Sequence, residues 1–287
     1  MGKNSVRRER CVLVTGASSG IGAATALYLD ERGWRVFAGI RHPQDAAALR
    51  ARASARLTPL PLDITDAGQI AAAVETVRAA VGADGLDGVV NNAGIFLGGP
   101  VEFMPLDNLR QLLEVNVLGT AAVTQAFMPL LRQSRGRIVN IGSINGRFAM
   151  PMVAPYAISK FALRALNDAL RREVAGWGVR VIIIDPGQVN TAIWRKNSER
   201  VAENRAGISP QYEAYYGVVL DQVKSADEAG QGMPPATVAA IIHKALTAPR
   251  PRAHYLVGMD ARLGVWLMRL LPTPLFDAIL RRLVGLA

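Results

Sequence analysis

A tyrosine and a lysine stand four residues apart in Tyr156-Ala-Ile-Ser-Lys160. On a helix this spacing puts both side chains on one face, one turn apart. A free phenol titrates at about pH 10 and is a weak acid or base at neutrality. An ammonium group one turn away favours the phenolate and so brings the proton within reach. The pair could therefore move a proton on and off a substrate oxygen. The same spacing also falls on helices that do no chemistry, so the rest of the chain decides. Ser143 adds a hydroxyl thirteen residues upstream, in "NIGSING".

A second constellation lies near the start. The stretch "TGASSGIG", Thr15 to Gly22, follows an apolar run and opens a helical pattern. Gly16, Gly20 and Gly22 allow a tight turn with close backbone approach, and Ser18, Ser19 and Ile21 lie in the same turn. A helix that begins there presents free N–H groups to a phosphate. The spacing is G-x-x-x-G-x-G, which differs from the commoner dinucleotide pattern G-x-G-x-x-G.

Elements to position these groups are visible in the hydrophobic patterning. Short β-branched runs at 12–15, 35–40, 57–62, 88–91, 137–141, 180–185 and 254–257 read as strands. Helical patterns fill 21–32, 43–52, 66–81, 106–132, 156–175 and 235–246. Several strands are apolar almost throughout, as in a parallel sheet covered on both faces. Strand–helix alternation over this length predicts an α/β fold: one Rossmann-type doubly wound parallel sheet of about seven strands. No repeat or linker divides the 287 residues, so a single domain is expected.

Composition narrows the classes. The lone cysteine, Cys11, sits in the apolar run "CVLVTG" and excludes an internal disulfide. The formal charge is +10, but the basic residues are spread along the chain without a nucleic-acid motif. The opening "MGKNSVRRER" lacks the apolar stretch of a secretory signal. No uncharged apolar run reaches the roughly 18 residues of a spanning helix, so a cytoplasmic protein is expected. His42, His243 and His254 have no ligand spacing, and no metal is expected.

Taken in order, the motifs resemble the short-chain dehydrogenase/reductase family over residues 11–191. Beyond the glycine turn, Asp63 in "PLDIT" matches the position that contacts the adenine amino group, although it could equally be a helix-start turn residue. "NNAG", with Asn91, Ala93 and Gly94, follows the fourth strand and in the family supports the sheet and borders the cofactor. Asn116 in "EVNVLG" matches the asparagine of a water relay. Pro186, Gly187, Val189 and Thr191 in "PGQVNT" resemble the segment at the nicotinamide end. The resemblance implies a hydride-transfer enzyme in which Tyr156 is the acid in reduction and the base in oxidation. Lys160 would tune the tyrosine and bond the nicotinamide ribose, and Ser143 would bond the substrate oxygen. A nucleotide-sensing protein that keeps the fold without the chemistry is the competing reading.

The second strand ends at Ile40-Arg41, where an acidic residue would bind the adenosine ribose hydroxyls. A guanidinium there suits a phosphate, so NADP(H) is expected over NAD(H). Residues 190–232 correspond to the family's lid over a small-molecule substrate and carry Ile193, Trp194, Tyr212, Tyr215 and Tyr216. With Phe96, Phe148, Met150 and Met152 they suggest a roomy apolar pocket. The end of the chain, 258–287, is similar to the carboxyl-terminal parts of retinol and hydroxysteroid dehydrogenases, which suggests a lipophilic alcohol or ketone. This helical extension could pack on the body, on a second subunit, or shallowly on a membrane. The family's habit implies a homodimer or homotetramer.

Overall fold

The computed structural model describes residues 8–191, 209–228 and 232–286. Seven strands, β1 (Cys11–Val14), β2 (Arg35–Ile40), β3 (Leu57–Pro61), β4 (Gly88–Asn91), β5 (Arg137–Ile141), β6 (Arg180–Pro186) and β7 (His254–Val257), form one sheet. Their order is β3-β2-β1-β4-β5-β6-β7 and every pairing is parallel. The chain leaves β3 at one edge and re-enters as β4 on the far side of β1. That reversal opens a crevice beyond the carboxyl ends of the strands, where ligands bind in such sheets.

Helices cover both faces because successive strand side chains point to opposite sides. Val12 and Val14 join the layer with α1 (Gly20–Asp30), α2 (Gln44–Arg50) and α8 (Pro235–Thr247). Leu13, with Phe37, Val89 and Ile138, meets α3 (Ala67–Val81) and α5 (Thr120–Ser134) on the other face. Cys11 is buried there as well, and burial pushes its thiol up to about 11, which makes it inert.

The seven expected strands are present with ends shifted by at most one residue. The pattern over 106–132, read as one helix, is three pieces: α4 (Leu106–Leu113), a π-helical turn at Glu114–Gly119, and α5. Helix α6 (Ala154–Glu173) carries the Tyr156/Lys160 pair. The lid region is not a plain loop, since α7 (Pro210–Glu228) runs within it. Its two ends meet: Asn190 N–H donates to the Met233 carbonyl at 3.0 Å, and Met233 N–H to Gln188 at 3.0 Å. The extension folds as α9 (Met259–Leu270) and α10 (Thr273–Leu283). Among the described residues no helix is long and apolar enough to cross a membrane.

Candidate active site

The carboxyl ends of β1, β4, β5 and β6 bring the sequence motifs together. Tyr156 lies in the first turn of α6, which Pro155 helps to start, and Lys160 one turn on. Both are buried, at 9 % and 7 % exposure, and Ser143 at 7 %. Ser143 closes the turn after β5 by accepting from Asn145 N–H at 3.2 Å, and it hydrogen-bonds the phenol of Tyr156. The Phe96 ring meets the tyrosine edge-on, centroids 4.9 Å apart. Serine, tyrosine and aromatic wall thus define one small polar point in an apolar surround.

Burial dominates the electrostatics here. It pushes Tyr156 up to about 12, only partly offset by the Ser143 hydrogen bond. It brings Lys160 down to about 8, against the pull of Asp185. The lysine donates from Nζ to the Ile141 carbonyl at 2.8 Å and lies 5.5 Å from the tyrosine ring centre. Burial is thus the larger influence on Tyr156, and in this structure the lysine's ammonium meets a carbonyl beside the phenol. Tyr156 holds its proton and is loaded as an acid.

Asn116 sits in the π turn with both amide hydrogens donated, to the Ile95 carbonyl and to Ser159 Oγ, each at 3.0 Å. Its Oδ1 accepts from Ile95 N–H at 2.9 Å. The side chain therefore clamps the loop after β4 to α6, rather than pointing a donor at a relay water. Asn91 is likewise a strut: its amide donates to Thr124 Oγ1 and Asn140 Oδ1, inside the sheet layer. At 3 % exposure the Asn91 side chain supports the sheet and does not face the crevice.

The glycine turn fits a bound dinucleotide. Gly16 has φ +63°, and a Cβ there would lie 2.7 Å from Ala93 Cα. A Cβ on Gly22 would lie 2.1 Å from the Gly16 carbonyl oxygen. Ser19 begins α1 in extended conformation and its side chain makes no capping bond, so the first-turn N–H groups face outward uncapped. Ser18 and Ile21 complete that turn, and Thr191 touches the position of Gly20 from across the crevice. Gly94 and Ala93 close the floor. Arg41 is exposed beyond the buried Ile40 and donates from Nε to His42 Nε2 at 3.0 Å. Asp63 Oδ1 accepts from Thr65 N–H at 2.9 Å and Oγ1 at 2.7 Å, which fixes the turn after β3; Asp66 is the cap of α3. Pro186 ends β6, Gly187 N–H donates to the Val257 carbonyl, and Val189 bridges to Met233.

Several supports were not read from the sequence. Thr15 Oγ1 accepts from Asn92 N–H and Ala93 N–H, both at 3.0 Å, and Asn92 returns its amide to the carbonyls of Thr15 and Gly16. Asp185, 1 % exposed, is held by Arg147 at 2.7 Å and Arg164 at 3.1 Å. Burial pushes this carboxyl up while both guanidiniums pull it down. An acid in the otherwise apolar "VIIIDP" was the available clue.

The expected pocket residues divide. Phe96 faces Tyr156, and Met152 packs with Val219 and Leu220 of α7 beside Tyr212 and Tyr216. Phe103 joins those tyrosines with centroids at 5.1 and 6.0 Å. Tyr215 is exposed. Phe148 and Met150 instead seat the extension against Val265, Phe276 and Leu280, which corrects their assignment to the pocket. Ile193 and Trp194 lie outside the described residues. No group of three metal-ligating side chains occurs among the described residues.

Comparison with known proteins is consistent with this geometry. The family model for short chain dehydrogenases matches residues 10–202. Human retinol dehydrogenase 16 is 39% identical over 282 residues, covering 95% of this chain and 88% of the relative. An NADPH-dependent 3-dehydrocapnine reductase from Ornithobacterium rhinotracheale is 35% identical over 277 residues, covering 94% and 95%. Among solved structures, a short chain dehydrogenase from Burkholderia cenocepacia in complex with NADP superposes with TM-score 0.74 at 26% identity, covering 94% of this chain and 97% of that one.

Proposed function

The chain belongs to the short-chain dehydrogenase/reductase family, and from that premise we propose that it reduces a lipophilic ketone, or oxidises the matching secondary alcohol, with NADP(H). The observation that carries the chemistry is the buried meeting of Tyr156, Ser143 and Lys160 beside the uncapped start of α1. Bound NADPH would supply the hydride. Tyr156, kept protonated by burial, gives its proton to the developing alkoxide, and Ser143 holds that oxygen in line with the phenol. Lys160 is fixed next to the site through the Ile141 carbonyl and would bond a ribose hydroxyl of the bound cofactor. The glycine turn would hold the pyrophosphate, Arg41 the 2′-phosphate, Asp63 and the Ala93–Gly94 floor the adenosine side, and Pro186–Thr191 the nicotinamide side.

The lipophilic substrate is supported by Phe96 against Tyr156 and by the apolar cluster of Met152 with Tyr212 and Tyr216 of α7. The NADP(H) preference is supported by Arg41 and the missing acid at position 40. The same reading takes the chain as one catalytic domain, 1–287, with a lid at about 190–232 and an extension at about 258–287. It is taken to work as a homo-oligomer in the cytoplasm.

One assay tests the chemistry: NADPH consumption over carbonyl compounds graded from short-chain ketones to steroid ketones and the aldehyde retinal, by wild type and Tyr156→Phe. The variant is expected to lose about a hundredfold or more in turnover, as when a positioned acid is removed. Equal turnover overturns the mechanism, and specificity constants that fall as the ketone grows overturn the substrate class. Fluorescence titration of Arg41→Ala with NADPH and NADH separates the cofactor question. Loss confined to NADPH is expected; equal loss for both, or tighter NADH binding by wild type, overturns it.

A further inference from the structure

We propose that the outer face of α9 docks on the surface of an anionic lipid bilayer. Met259, Leu263, Trp266 and Leu270 are 77%, 56%, 58% and 60% exposed. They are spaced four, three and four residues apart, which lines them on one side of a helix. The opposite side is already used: Ala261 and Val265 are buried, and Val265 packs against Phe148, Phe276 and Leu280. At Gly264 a Cβ would lie 2.9 Å from Phe148 Cζ, so the helix is pressed close to the body. The stripe is thus a second apolar face with none of the other described residues over it, on a helix that is firmly seated. On α10, Leu275 and Leu283 are also exposed, at 52% and 68%.

Charge decides what covers the stripe. Arg262 and Arg269 are exposed on α9, and Arg281 and Arg282 on α10. Against them stand only two carboxylates on these helices, Asp260 and Asp277. Asp260 is engaged with Gln188 N–H at 2.7 Å. Two copies meeting through this face about a two-fold axis would bring like arginines together, which is unfavourable. A layer of anionic headgroups neutralises them, while the apolar stripe enters the acyl boundary. At twelve residues α9 is too short to span and lies in the plane of the surface.

The docked helix is joined to the site at two points. Asp260 holds the segment after β6, and Phe148 belongs to the loop that begins at Ser143. A lipid surface on α9 would therefore set the orientation of the crevice relative to the bilayer.

The test uses the full-length protein without cofactor or substrate, so its result is independent of whether hydride transfer occurs. Sedimentation with phosphatidylcholine vesicles containing about 30 % phosphatidylglycerol, and with phosphatidylcholine alone, reads the partition. Wild type is expected on the anionic vesicles, with weaker binding on the neutral ones and at high salt. Leu263→Gln/Trp266→Gln/Leu270→Gln is expected to lose about tenfold or more in partition, and Arg262→Gln/Arg269→Gln several-fold, with unchanged melting temperatures. Wild type left in the supernatant, or a triple variant that binds as well as wild type, overturns the proposal. So does a triple variant that falls apart from dimer to monomer in light scattering, since a second copy would then be the occupant.

Discussion

Lys160 keeps its ammonium in a place that disfavours charge, and the consequence is measurable as a pH dependence. Burial takes it from 10.5 to about 8 in the folded protein. Between those values the unfolded chain binds more protons than the folded one, so stability rises with pH across the window. Tyr156, pushed above its ordinary value, begins to work in the opposite sense only above about pH 10. Calorimetric melting of wild type and Lys160→Met from pH 7 to 10 is expected to show the wild type gaining on the variant as pH rises above about 8. Parallel curves would mean that the lysine is not so placed. The buried carboxylate nearby gives a second case. Asp185→Asn leaves Arg147 and Arg164 without their counter-charge and is expected to cost about 3–5 kcal/mol in urea unfolding. Adding Arg147→Met should recover part of that loss. The tyrosine–lysine pair was legible in the sequence because its chemistry is local, one helical turn. The Asp185 cluster was not, because its three members come from residues 147, 164 and 185 and meet only when β6 lies beside α6.

Strands announce themselves when a sheet is buried on both faces, and here runs such as "RVFAGI" and "RVIIIDP" gave their own boundaries. The π turn at Glu114–Gly119 gave no such sign. Its neighbours carry an unbroken helical pattern, and the extra residue is stabilised from outside, by the bonds between Asn116 and the backbone of Ile95. Asn116→Ala would leave the half-buried Ile95 N–H and carbonyl without these partners, at a cost of about 1–3 kcal/mol. Chemical unfolding reads the stability, and the NADPH assay reads whether the turn's loss reaches the catalytic helix through Ser159. A change below about 0.5 kcal/mol would show that the turn stands without its clamp. Helix α7 was less legible: Tyr212, Tyr215 and Tyr216 share the i, i+3, i+4 face of a helix, but aromatic side chains in a lid also suit the wall of a pocket. Phe148 was misread for a related reason. A loop aromatic near a catalytic serine suits a pocket wall, but the extension, which follows more than a hundred residues later, takes it as a seat.

At the scale of the molecule, the fold collects what the chain disperses. Arg10, Arg35, Arg56, Arg137 and Arg180 are far apart in sequence, yet each opens or directly precedes a strand of one parallel sheet. They therefore share the edge opposite the crevice, and Arg137 is held below its ordinary value by burial and by Arg180 and Arg10. The apolar surface is gathered in the same way. Ile158 and Phe161, each 43% exposed, lie three apart on α6 and point away from the buried Tyr156 and Lys160; Leu118, at 56%, adds to the apolar surface from the π turn. An apolar surface without arginines at its centre can meet its own copy about a two-fold axis, as the α9 stripe cannot. Ile158→Glu/Phe161→Glu is therefore expected to reduce the light-scattering mass to that of one 30.7 kDa chain. The α9 triple variant should leave the wild-type mass unchanged. Charges at 158 and 161 face solvent in a monomer, so the chain should still fold and bind NADPH. A wild type that is monomeric at micromolar concentration would overturn the subunit contact, and a glutamate variant that keeps its full mass would place it elsewhere.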